Sequence, residues 1–599
     1  MARSWKLVAG GAVALALLAP AAAGAAQPIP NDPTPGSVQA YQGAPAQPRR
    51  LAAQEPPRHP FMAPNGRSSI HDDGFQSDTY WIPGPLGRNM SVLSNAQFGD
   101  CASVTFDSRG RIVTVCVGVA GPQLVLMDPK SLDTIASMAL PPRLPGSTSI
   151  FNDFAGGGYF YLDNRDRAVV PTTTRHVFVV GVGAAGFTQE RDYDLTGAVA
   201  AGDKIISALP DWSGRLWFAS TRGVVGTVAP SGQVRAKQLG EGISNSFAVD
   251  DQGGVYVVTQ KALYRLDAAA DGSPAVSWRE QYRNSGIAKP GQSDAGSGTT
   301  PTVMEGGHVS IADNDDPMNV VVYKKARQVG GSRVVCTEPV FSKGASSTDQ
   351  SLIAARNSIV VENNYGHAGP TSVNDGKTTT PGIERVDVNK SGHGCHRKWH
   401  SNEIAPSVVP KLSTETGLVY TYTKPRRTDD TAAWYFTALD FCNGHTVYRR
   451  LAGTGLGYDN NFAPVTLGPD GAAYVGALGG LIRVADSSAP SGPPASSRRG
   501  CNPKPRLKLS LRYKRGRRGC ARGPVTATLG GADRRSIRRA RFYLGKRRVA
   551  SDSRSPFRRR VDRGRHRGKA HRHVVTARLR LKNGQKATLR RRFKACARS

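Results

Sequence analysis

Apolar and polar positions alternate in short runs between residues 247 and 282, in the sequence FAVDDQGGVYVVTQKALYRLDAAADGSPAVSWREQY. An apolar run ends at an Asp/Gly turn, and the runs VYVVT, ALYRLD and AVSWREQY follow, separated by polar or Gly/Pro-containing residues. Runs of this length between such turns predict four antiparallel strands. Because a four-stranded sheet of this size cannot bury both of its faces alone, the pattern predicts neighbouring sheets of the same kind.

The turn between the first two of these strands recurs along the chain. Its copies are FDSRGRIVTV, LDNRDRAVVP, PDWSGRLWFA, VDDQGGVYVV, VMEGGHVSIA, AARNSIVVEN, LSTETGLVYT and LGPDGAAYVG, spaced 39 to 60 residues apart. A propeller blade takes about 40 to 50 residues. Residues 88–486 therefore predict an all-β, eight-bladed β-propeller, with seven blades and an irregular insert as the alternative. The last copy has three recognisable strands, and a strand at residues 91–96 is predicted to complete it and close the ring.

The N-terminal residues predict export. Arg3 and Lys6 precede an apolar run at residues 7–18, and small residues continue to residue 26, the pattern of a secretory signal peptide with cleavage near Ala25 or Ala26. The apolar run is too short for a transmembrane helix, so we expect a secreted protein, with cell-wall association as a further option. Residues 27–60 are rich in Pro, Ala and Gln and predict a disordered or extended spacer, and residues 61–87 predict an ordered lead-in against the propeller.

A Pro/Ser linker at residues 487–500 leads to a second β domain, residues 501–599. Its segments LKLSLRY, VVTARLRL and ATLRRRF alternate apolar and basic residues, as half-buried strands do. A three-residue hairpin loop of Lys582, Asn583 and Gly584 would place Leu579 on the same face as Ala587. That register also puts Arg591 on the apolar face, which the sequence does not explain. We expect a small immunoglobulin-like sandwich.

The net charge of +35 belongs almost entirely to this second domain, since residues 498–599 contain 37 Lys and Arg but three Asp and Glu. Such a surface attracts anions, and the expected partners are anionic cell-wall polymers or lipid headgroups. Nucleic acid is not expected, because an exported protein rarely meets it and few aromatic residues are available for stacking on bases. The alternative is a basic surface that has no dedicated partner.

Eight cysteines fit an oxidising compartment. Cys101 and Cys116 flank FDSRGRIVTV on adjacent predicted strands, so we expect a disulfide between them. The pairing of the others stays open, and three in each region leaves either a bridge between the regions or a free thiol: Cys336, Cys395, Cys442, Cys501, Cys520 and Cys596. Zinc at His393, Cys395 and His396 is disfavoured because no C-x-x-C spacing accompanies it.

Long polar loops predict where a ligand would bind. In a four-stranded blade, the loops between strands two and three and the connections between blades open on one face. The long ones, at residues 312–319, 362–377 and 423–430, carry carboxylates and amides that suit a hard cation such as calcium, a carbohydrate or another small molecule. The candidate residues are Asn314, Asp315, Asp316, Asp349, Gln350, Glu362, Asn363, Asn364, His367, Glu403, Asp459, Asn460 and Asn461. The alternative is that these loops are merely solvated, as we expect for the acidic pairs at residues 72–73 and 429–430.

With its repeat length and turns, the region 88–486 resembles the quinoprotein-alcohol-dehydrogenase-like class of propellers, which includes PQQ-repeat and YVTN-type secreted proteins. Enzymatic members of that class bind pyrroloquinoline quinone against a disulfide of adjacent cysteines, beside a calcium ion. This chain has no two adjacent cysteines and no C-x-x-C-H. The resemblance therefore implies the fold and argues against PQQ. The basic C-terminal domain is similar in composition to modules that end exported actinobacterial proteins.

These observations favour an exported, envelope-associated binding or scaffold protein without catalytic residues. The alternative is an enzyme at the propeller mouth, either a metal-dependent hydrolase or lactonase or a quinoprotein oxidoreductase. No G-x-S-x-G, H-E-x-x-H or Walker motif occurs in the sequence to assign a reaction.

Overall fold

A computed structural model describes residues 24–97, 99–118, 121–143, 153, 155–487, 501, 507–531, 534–562, 571–581 and 586–597. The chain divides into two compact units, Met1–Arg498 and Arg499–Ser599. The predicted signal peptide, except for residues 24–26, and the predicted linker beyond residue 487 lie outside the described residues. Among the described residues, no helix has the length and apolar character needed to cross a bilayer.

The first unit consists of strands with short connections, together with the 3₁₀ helices Pro370–Val373 and Leu456–Tyr458. Its strands are, in chain order, β1 (Tyr41–Gly43), β2 (Thr79–Tyr80), β3 (Met90–Ala96), β4 (Gly99–Phe106), β5 (Ile112–Gly118), β6 (Gly121–Met127), β7 (Thr134–Ala139), β8 (Tyr161–Leu162), β9 (Arg167–Pro171), β10 (His176–Val182), β11 (Phe187–Asp194), β12 (Ile205–Pro210), β13 (Leu216–Ser220), β14 (Val224–Val228), β15 (Val234–Gln238), β16 (Ala248–Val249), β17 (Val255–Val258), β18 (Ala262–Ala268), β19 (Pro274–Gln281), β20 (Thr302–Met304), β21 (His308–Ala312), β22 (Asn319–Lys324), β23 (Val334–Pro339), β24 (Ile353–Ala355), β25 (Ser358–Glu362), β26 (Ile383–Val388), β27 (Cys395–Ser401), β28 (Lys411–Ser413), β29 (Leu418–Thr423), β30 (Ala433–Asp440), β31 (Thr446–Thr454), β32 (Val465–Leu467), β33 (Ala473–Ala477) and β34 (Gly480–Asp486).

Strands β4 to β34 form a succession of antiparallel sheets in which neighbouring strands follow one another along the chain. The first strand of each sheet is mostly buried, as in β16 and β20, whereas fourth strands such as β11 and β19 are largely exposed. First strands therefore lie inside and fourth strands outside. This all-β arrangement of four-stranded sheets is consistent with a β-propeller.

The last sheet takes its fourth strand from the N-terminal part of the chain. Strand β3 pairs antiparallel with β34, from Met90 opposite Asp486 to Ala96 opposite Gly480. The prediction that residues 91–96 complete the last sheet is confirmed. Because the pairing joins the two ends of the repeat region, neither the β34 edge nor the β3 strand is left without a partner.

The expected disorder of residues 27–60 is wrong. Strand β1 pairs with β31 as an additional outer strand, and Ile29 and Leu51 are buried. The Leu51 amide donates to the Thr414 carbonyl at 2.7 Å. The segment is extended, as its composition suggested, but it is ordered because the sheets supply the hydrogen bonds that a Pro-rich chain cannot form with itself.

The predicted lead-in, residues 61–87, forms backbone hydrogen bonds with the sheets as well as packing against them. Residues 67–80, which we call the axial segment, are almost entirely buried, and their carbonyls accept hydrogen bonds from the first strands of six sheets. The donor and acceptor pairs are Phe106 to Arg67, Leu162 to Ser68, Val249 to Gly74, Val303 to Phe75, Ala354 to Ser77 and Leu412 to Asp78, at 2.7 to 3.2 Å. The axial segment thus lies along the inner strands, where a propeller has its channel.

A buried ion pair holds the axial segment in place. The Lys411 ammonium on β28 donates to the Asp78 carboxylate and lies 3.4 Å from Asp72. Burial disfavours the charged ammonium, but Asp72 and Asp78 outweigh it and raise the pKa of Lys411. The Asp78 carboxylate also lies 3.0 Å from Nδ1 of His71. The expectation that Asp72 and Asp73 are solvated is wrong, since both are 1% exposed, whereas Asp429 and Asp430 are exposed as expected.

The second unit has two sheets and the 3₁₀ helices Arg517–Gly519 and Arg534–Ser536. Strands β35 (Lys508–Arg515), β36 (Ala521–Gly530) and β39 (Arg558–Asp562) form one sheet, and β38 (Arg547–Asp552), β37 (Ile537–Leu544), β40 (Arg572–Leu581) and β41 (Lys586–Lys594) form the other. Both sheets contribute to one hydrophobic core, which includes Leu509 and Val525 from the first and Phe542 and Val575 from the second.

The predicted register of the last hairpin is confirmed, because Leu579 lies opposite Ala587. Its loop, residues 582–585, lies outside the described residues. Arg591 is on the inner face, as the sequence required, and its Nε donates to the Leu509 carbonyl of the other sheet at 3.2 Å. The guanidinium therefore satisfies a carbonyl of the facing sheet.

The predicted disulfide between Cys101 and Cys116 is confirmed, and the two residues lie directly opposite each other on β4 and β5. Two further disulfides, Cys336–Cys395 and Cys520–Cys596, resolve part of the open pairing. Cys442 and Cys501 are also disulfide-bonded. None of the eight cysteines is free, so the free-thiol alternative is wrong.

Replacing Lys411 with Met should destabilise the protein by about 3 to 5 kcal/mol, because it leaves the buried Asp78 carboxylate without its cation. Chemical denaturation of the full chain would measure the change. The control is Lys390→Met, which alters an exposed lysine and should change stability by less than about 0.5 kcal/mol. The double change Asp78→Asn and Lys411→Met should recover part of the loss; equal effects of Lys411→Met and Lys390→Met would contradict the assigned role.

The second stability prediction concerns Asp73, whose pKa burial raises to about 7 although Ser77 hydrogen-bonds its carboxylate. A carboxyl whose folded pKa exceeds its unfolded pKa contributes stability that is complete below about pH 4 and lost as pH rises through about 7. Asp73→Asn should therefore gain stability relative to wild type between pH 4 and pH 8, by up to about 4 kcal/mol at about 1.4 kcal/mol per pKa unit. Denaturation curves at both pH values test this, and a stability difference independent of pH would refute it.

Candidate functional site

A cavity of about 660 Å³ lies beside the axial segment. Its wall is built mainly from residues at the start of first strands or in the connections that lead into them, contributed by seven sheets. These include Gly99, Asp100, Ala102, Gly158, Tyr159, Asn245, Thr300, Asp349, Gln350, Ser351, Val409, Asn461 and Phe462. Ile70 and His71 of the axial segment complete one side. The cavity therefore lies where the inner strands converge.

The wall is mostly apolar and carries a few polar groups that have unused hydrogen-bonding capacity. The polar atoms of lining residues that lack a hydrogen-bond partner among the described residues include Nε2 of His71, Oδ1 of Asp100 and Oδ1 of Asp349. Buried polar atoms usually have partners, so an unpartnered one needs an explanation such as a ligand. We take these three atoms as the polar part of the site.

Asp349 is held by the loop at residues 293–294. The Ser293 amide donates to Asp349 Oδ2 at 2.7 Å. Burial, and secondarily the charge of Asp294, raise the pKa of Asp349 well above its ordinary value. Burial therefore favours the protonated form of Asp349, which can both donate and accept a hydrogen bond.

Asp100 lies at the start of β4. Burial raises its pKa to about 8, and Asp459 adds to this effect, while Asn461 and Arg143 oppose it. Asp100 is therefore also mainly neutral at pH 7. The two carboxyls give the cavity polar groups without a strong negative charge.

The protonation state of His71 is determined by its neighbours in the axial segment. Burial lowers its pKa despite the adjacent Asp78 carboxylate, so the imidazole is neutral. Because Asp78 can only accept, Nδ1 carries the proton, which leaves Nε2 as a hydrogen-bond acceptor. Ser351 lines the cavity just before β24. Its hydroxyl donates to the Asp78 carboxylate and lies 2.9 Å from Nδ1 of His71.

The basic groups near the cavity are already engaged. Lys204 lies 2.6 Å from the Asp153 carboxylate, and Arg143 donates to the Asp153 carbonyl at 2.5 Å. Burial lowers the pKa of Arg143, partly offset by Asp153 and Asp100. These cations shape one edge of the wall and leave little positive charge for a ligand.

Three of the predicted site residues, Asp349, Gln350 and Asn461, line the cavity. The prediction was based on connections between blades, and the three lie in two such connections. Gln350 Nε2 donates to the Ser407 carbonyl at 2.7 Å, so its side chain also ties neighbouring connections together.

Several predicted amides support loops instead. Asn364 Oδ1 accepts from the Asp349 amide at 3.1 Å, and Asn363 Oδ1 from the Ser347 amide at 3.2 Å. Asn460 donates to the carbonyls of Ala463 and Gly476, and Asn314 to the carbonyl of Ile287. These contacts fix the connections behind the cavity wall.

The predicted acidic residues that do not line the cavity lie at separate positions and have different partners. Glu362 is buried and accepts from the Thr421 hydroxyl at 3.1 Å, and burial raises its pKa well above the ordinary value. Glu403 pairs with Arg449. Asp315 lies 3.6 Å from Arg283, and Asp316 accepts from the Gly344 amide.

Asp459 and His367 lie just behind the wall. Asp459 accepts from the Asn461 amide at 3.1 Å, and burial raises its pKa to about 7. The His367 ring packs edge-on against Phe462, a lining residue, with centroids 4.9 Å apart. The thirteen predicted residues therefore do not form one cluster. Among the described residues, no group of three or more His, Cys, Asp or Glu side chains is arranged to hold a metal ion.

Sequence reasoning missed Asp100, Asn245 and His71. The same rule about connections between blades, applied to every blade rather than to the last four, would have found Asp100 and Asn245. His71 gave no such signal, because only tertiary structure brings the lead-in to the inner strands.

No protein-family model matches the chain. An uncharacterized protein of Archaeoglobus fulgidus is 28% identical over 324 residues, covering 48% of this chain and 62% of that protein, so the chain spans less than two thirds of its length. Similar solved structures include a europium-containing methanol dehydrogenase (8% identity, 70% of this chain, 98% of that chain, TM-score 0.44) and Chaetomium thermophilum Sqt1 (12%, 73%, 99%, 0.40). A luciferin-regenerating enzyme covers 46% of this chain, 88% of its own, at 12% identity and TM-score 0.27. At these scores, the solved structures carry no functional argument.

Proposed function

We propose that the protein is an exported, envelope-associated binding protein in which an eight-bladed propeller binds a small molecule and a basic, immunoglobulin-like second domain attaches to an anionic polymer. The proposed binding of a small molecule rests on the cavity of about 660 Å³ beside the axial segment. Ligand sites are concave, mostly apolar and furnished with a few placed polar groups. Disulfide-bonded cysteines favour an oxidising compartment.

The polar groups define the class of ligand. Nε2 of His71 requires a donor, and the neutral carboxyls of Asp100 and Asp349 can pair with hydroxyl or carbonyl groups. A strongly charged ligand has no free counter-charge among these groups. The ligand is therefore a neutral molecule with an apolar body and a hydroxyl or amide near His71. A sugar that places its hydrophobic face against the apolar wall also meets this description.

A hydrolase or lactonase is the second candidate, and the arrangement of His71 favours it. A neutral imidazole held by a carboxylate on one nitrogen can accept a proton at the other. The chain has no adjacent cysteines for a quinone-binding disulfide, so we propose no quinone chemistry. Hydrolysis of uncharged lactones that is lost in His71→Gln, while cavity binding persists, would favour the enzyme over the binding protein.

The cavity can be blocked from β5. Val117→Trp places a large side chain at the cavity wall and should weaken binding of the neutral apolar dye N-phenyl-1-naphthylamine at least tenfold, measured by fluorescence titration. Val276→Trp is the control, because Val276 is 38% exposed on β19 and the change leaves the cavity intact. Equal dye affinity in wild type and Val117→Trp, with both proteins folded, would rule out the cavity as the binding site.

The second part of the proposal rests on charge, since residues 498–599 carry 37 Lys and Arg. The full chain should bind immobilised poly(glycerol phosphate), and its Kd should rise steeply with salt because binding releases counterions. Retention on the matrix at increasing salt measures this. Absence of retention at low salt, or retention that is independent of salt, would refute the proposed attachment.

A further inference from the structure

We propose that one face of the second unit, the outer face of the sheet β38–β37–β40–β41, is the docking surface for a linear phosphodiester polymer. The inference rests on the proposed attachment of this unit to anionic polymers and adds which surface binds and which anion it prefers. We call this surface the arginine face. It consists of Arg539, Arg541, Tyr543, Arg548, Thr576, Arg578, Arg580, Lys586, Thr588, Arg590 and Arg592.

The strand pattern separates this face from the core. Along β40, Val575, Ala577 and Leu579 are buried, whereas Arg578 and Arg580 between and beyond them are exposed. The alternation of side chains along a strand places every second residue on the outer face. By the same alternation, the outer face includes Arg539 and Arg541 of β37 and Arg590 and Arg592 of β41, whereas Arg591 lies on the inner face.

Like charges lie directly opposite one another on this face. Arg541 is opposite Arg578, Arg539 is opposite Arg580, and Arg580 is opposite Lys586. Directly opposed like charges destabilise a sheet. The described acidic residues of the unit do not relieve this repulsion: Asp552 is buried and pairs with Arg559, and Asp562 is on the other sheet. A bound polyanion would remove the repulsion.

The other sheet of the unit is also basic, but most of its charges are spaced. On its outer face, Arg512 and Arg560 both lie opposite Thr526, and Lys508 lies opposite Gly530. Lys514 and Arg522 form the one directly opposed pair of cations in the register of this sheet. Both faces are therefore basic, but the arginine face has three opposed pairs of cations where the other sheet has one.

The arrangement suits phosphate groups spaced along a polymer. Successive outward residues of one strand are about 6.8 Å apart and neighbouring strands about 4.8 Å apart, so an extended polyanion can meet one cation after another. Thr576 lies opposite Arg590, and Thr588 lies opposite Arg578. The two charged oxygens of a phosphodiester diverge from a tetrahedral phosphorus, so one can accept from a guanidinium and the other from a neighbouring hydroxyl in a different direction. The two oxygens of a carboxylate lie in one plane.

A depression in the same region gives the surface a definite anchor point. It has a volume of about 740 Å³ and is lined by Lys546, Thr576, Arg578, Arg590 and Arg592 around Tyr543. The Arg578 guanidinium lies over the Tyr543 ring at 4.8 Å from its centroid, which holds the guanidinium in place by a cation–π contact. A fixed guanidinium loses less side-chain freedom when an anion binds.

The test compares two triple variants of the full chain that remove equal charge. Arg541→Gln, Arg578→Gln and Arg590→Gln alter the arginine face, and Lys508→Gln, Arg512→Gln and Arg560→Gln alter the other face. The first set should weaken binding to poly(glycerol phosphate) about 100-fold, roughly fivefold per charge, and lower the slope of log Kd against log salt by about 2 to 3. The control set should weaken binding less than about fivefold.

Thermal unfolding provides a second readout. The arginine-face variant should be at least as stable as wild type without polymer, because one opposed pair of cations is removed, and it should gain less stability than wild type when polymer is added. Poly-glutamate of matched charge and phosphatidylglycerol vesicles complete the set of probes. Wild type should bind both more weakly than the phosphodiester polymer.

Each of the remaining outcomes would contradict one part of the proposal. Equal losses in the two triple variants would mean that net charge alone binds, and the arginine face would be rejected while the proposed attachment stands. Equal affinity for poly-glutamate would reject the preference for phosphate, and binding to vesicles without binding to polymer would replace the polymer with a lipid surface. Failure of wild type to bind any of the three would reject the proposed attachment itself.

Discussion

The hydrogen bonds between the axial segment and the inner strands are the constraint on which the first unit depends. A first strand has one edge at the channel, and its amides there need acceptors. In this protein, six sheets share one acceptor chain, residues 67–80. The chain then runs within ten residues from β2 at Tyr80 to β3 at Met90, which pairs with the last sheet. One N-terminal stretch therefore supplies both the acceptors for the inner strands and the strand that completes the last sheet.

That arrangement brings charge into the interior and so determines the chemistry of the cavity. Asp78 keeps its charge because Lys411 and His71 compensate for burial. For Asp100, burial outweighs the opposing effects of Asn461 and Arg143, and burial also favours the neutral form of Asp349. Burial raises the pKa of Asp73 in the axial segment in the same way. Asp78 differs from these acids because its close partners Lys411 and His71 outweigh burial and lower its pKa.

The sequence could predict the sheets, because turns and alternating runs are local and repeat along the chain. It could also predict the strand that completes the last sheet and the disulfide of Cys101 and Cys116, since both follow from strand pairing. It could not predict the place of residues 67–80, because their polar composition resembles that of a solvated loop and only the inner strands supply their partners. The candidate site was found in part for the same reason: Asp349 and Asn461 follow from the repeat, whereas His71 does not.

The division of charge assigns the two proposed activities to different physical forces. Residues 1–497 contain 43 Lys and Arg against 42 Asp and Glu, while the remaining 102 residues carry nearly the whole excess. The proposed attraction of the second unit to a polyanion would be long-ranged and would weaken as salt screens it. The proposed binding in the cavity would rely on apolar contact and neutral hydrogen-bonding groups, which salt screens little. We therefore expect high salt to release a bound polymer without releasing a ligand from the cavity, because the two equilibria respond to different properties of the solvent.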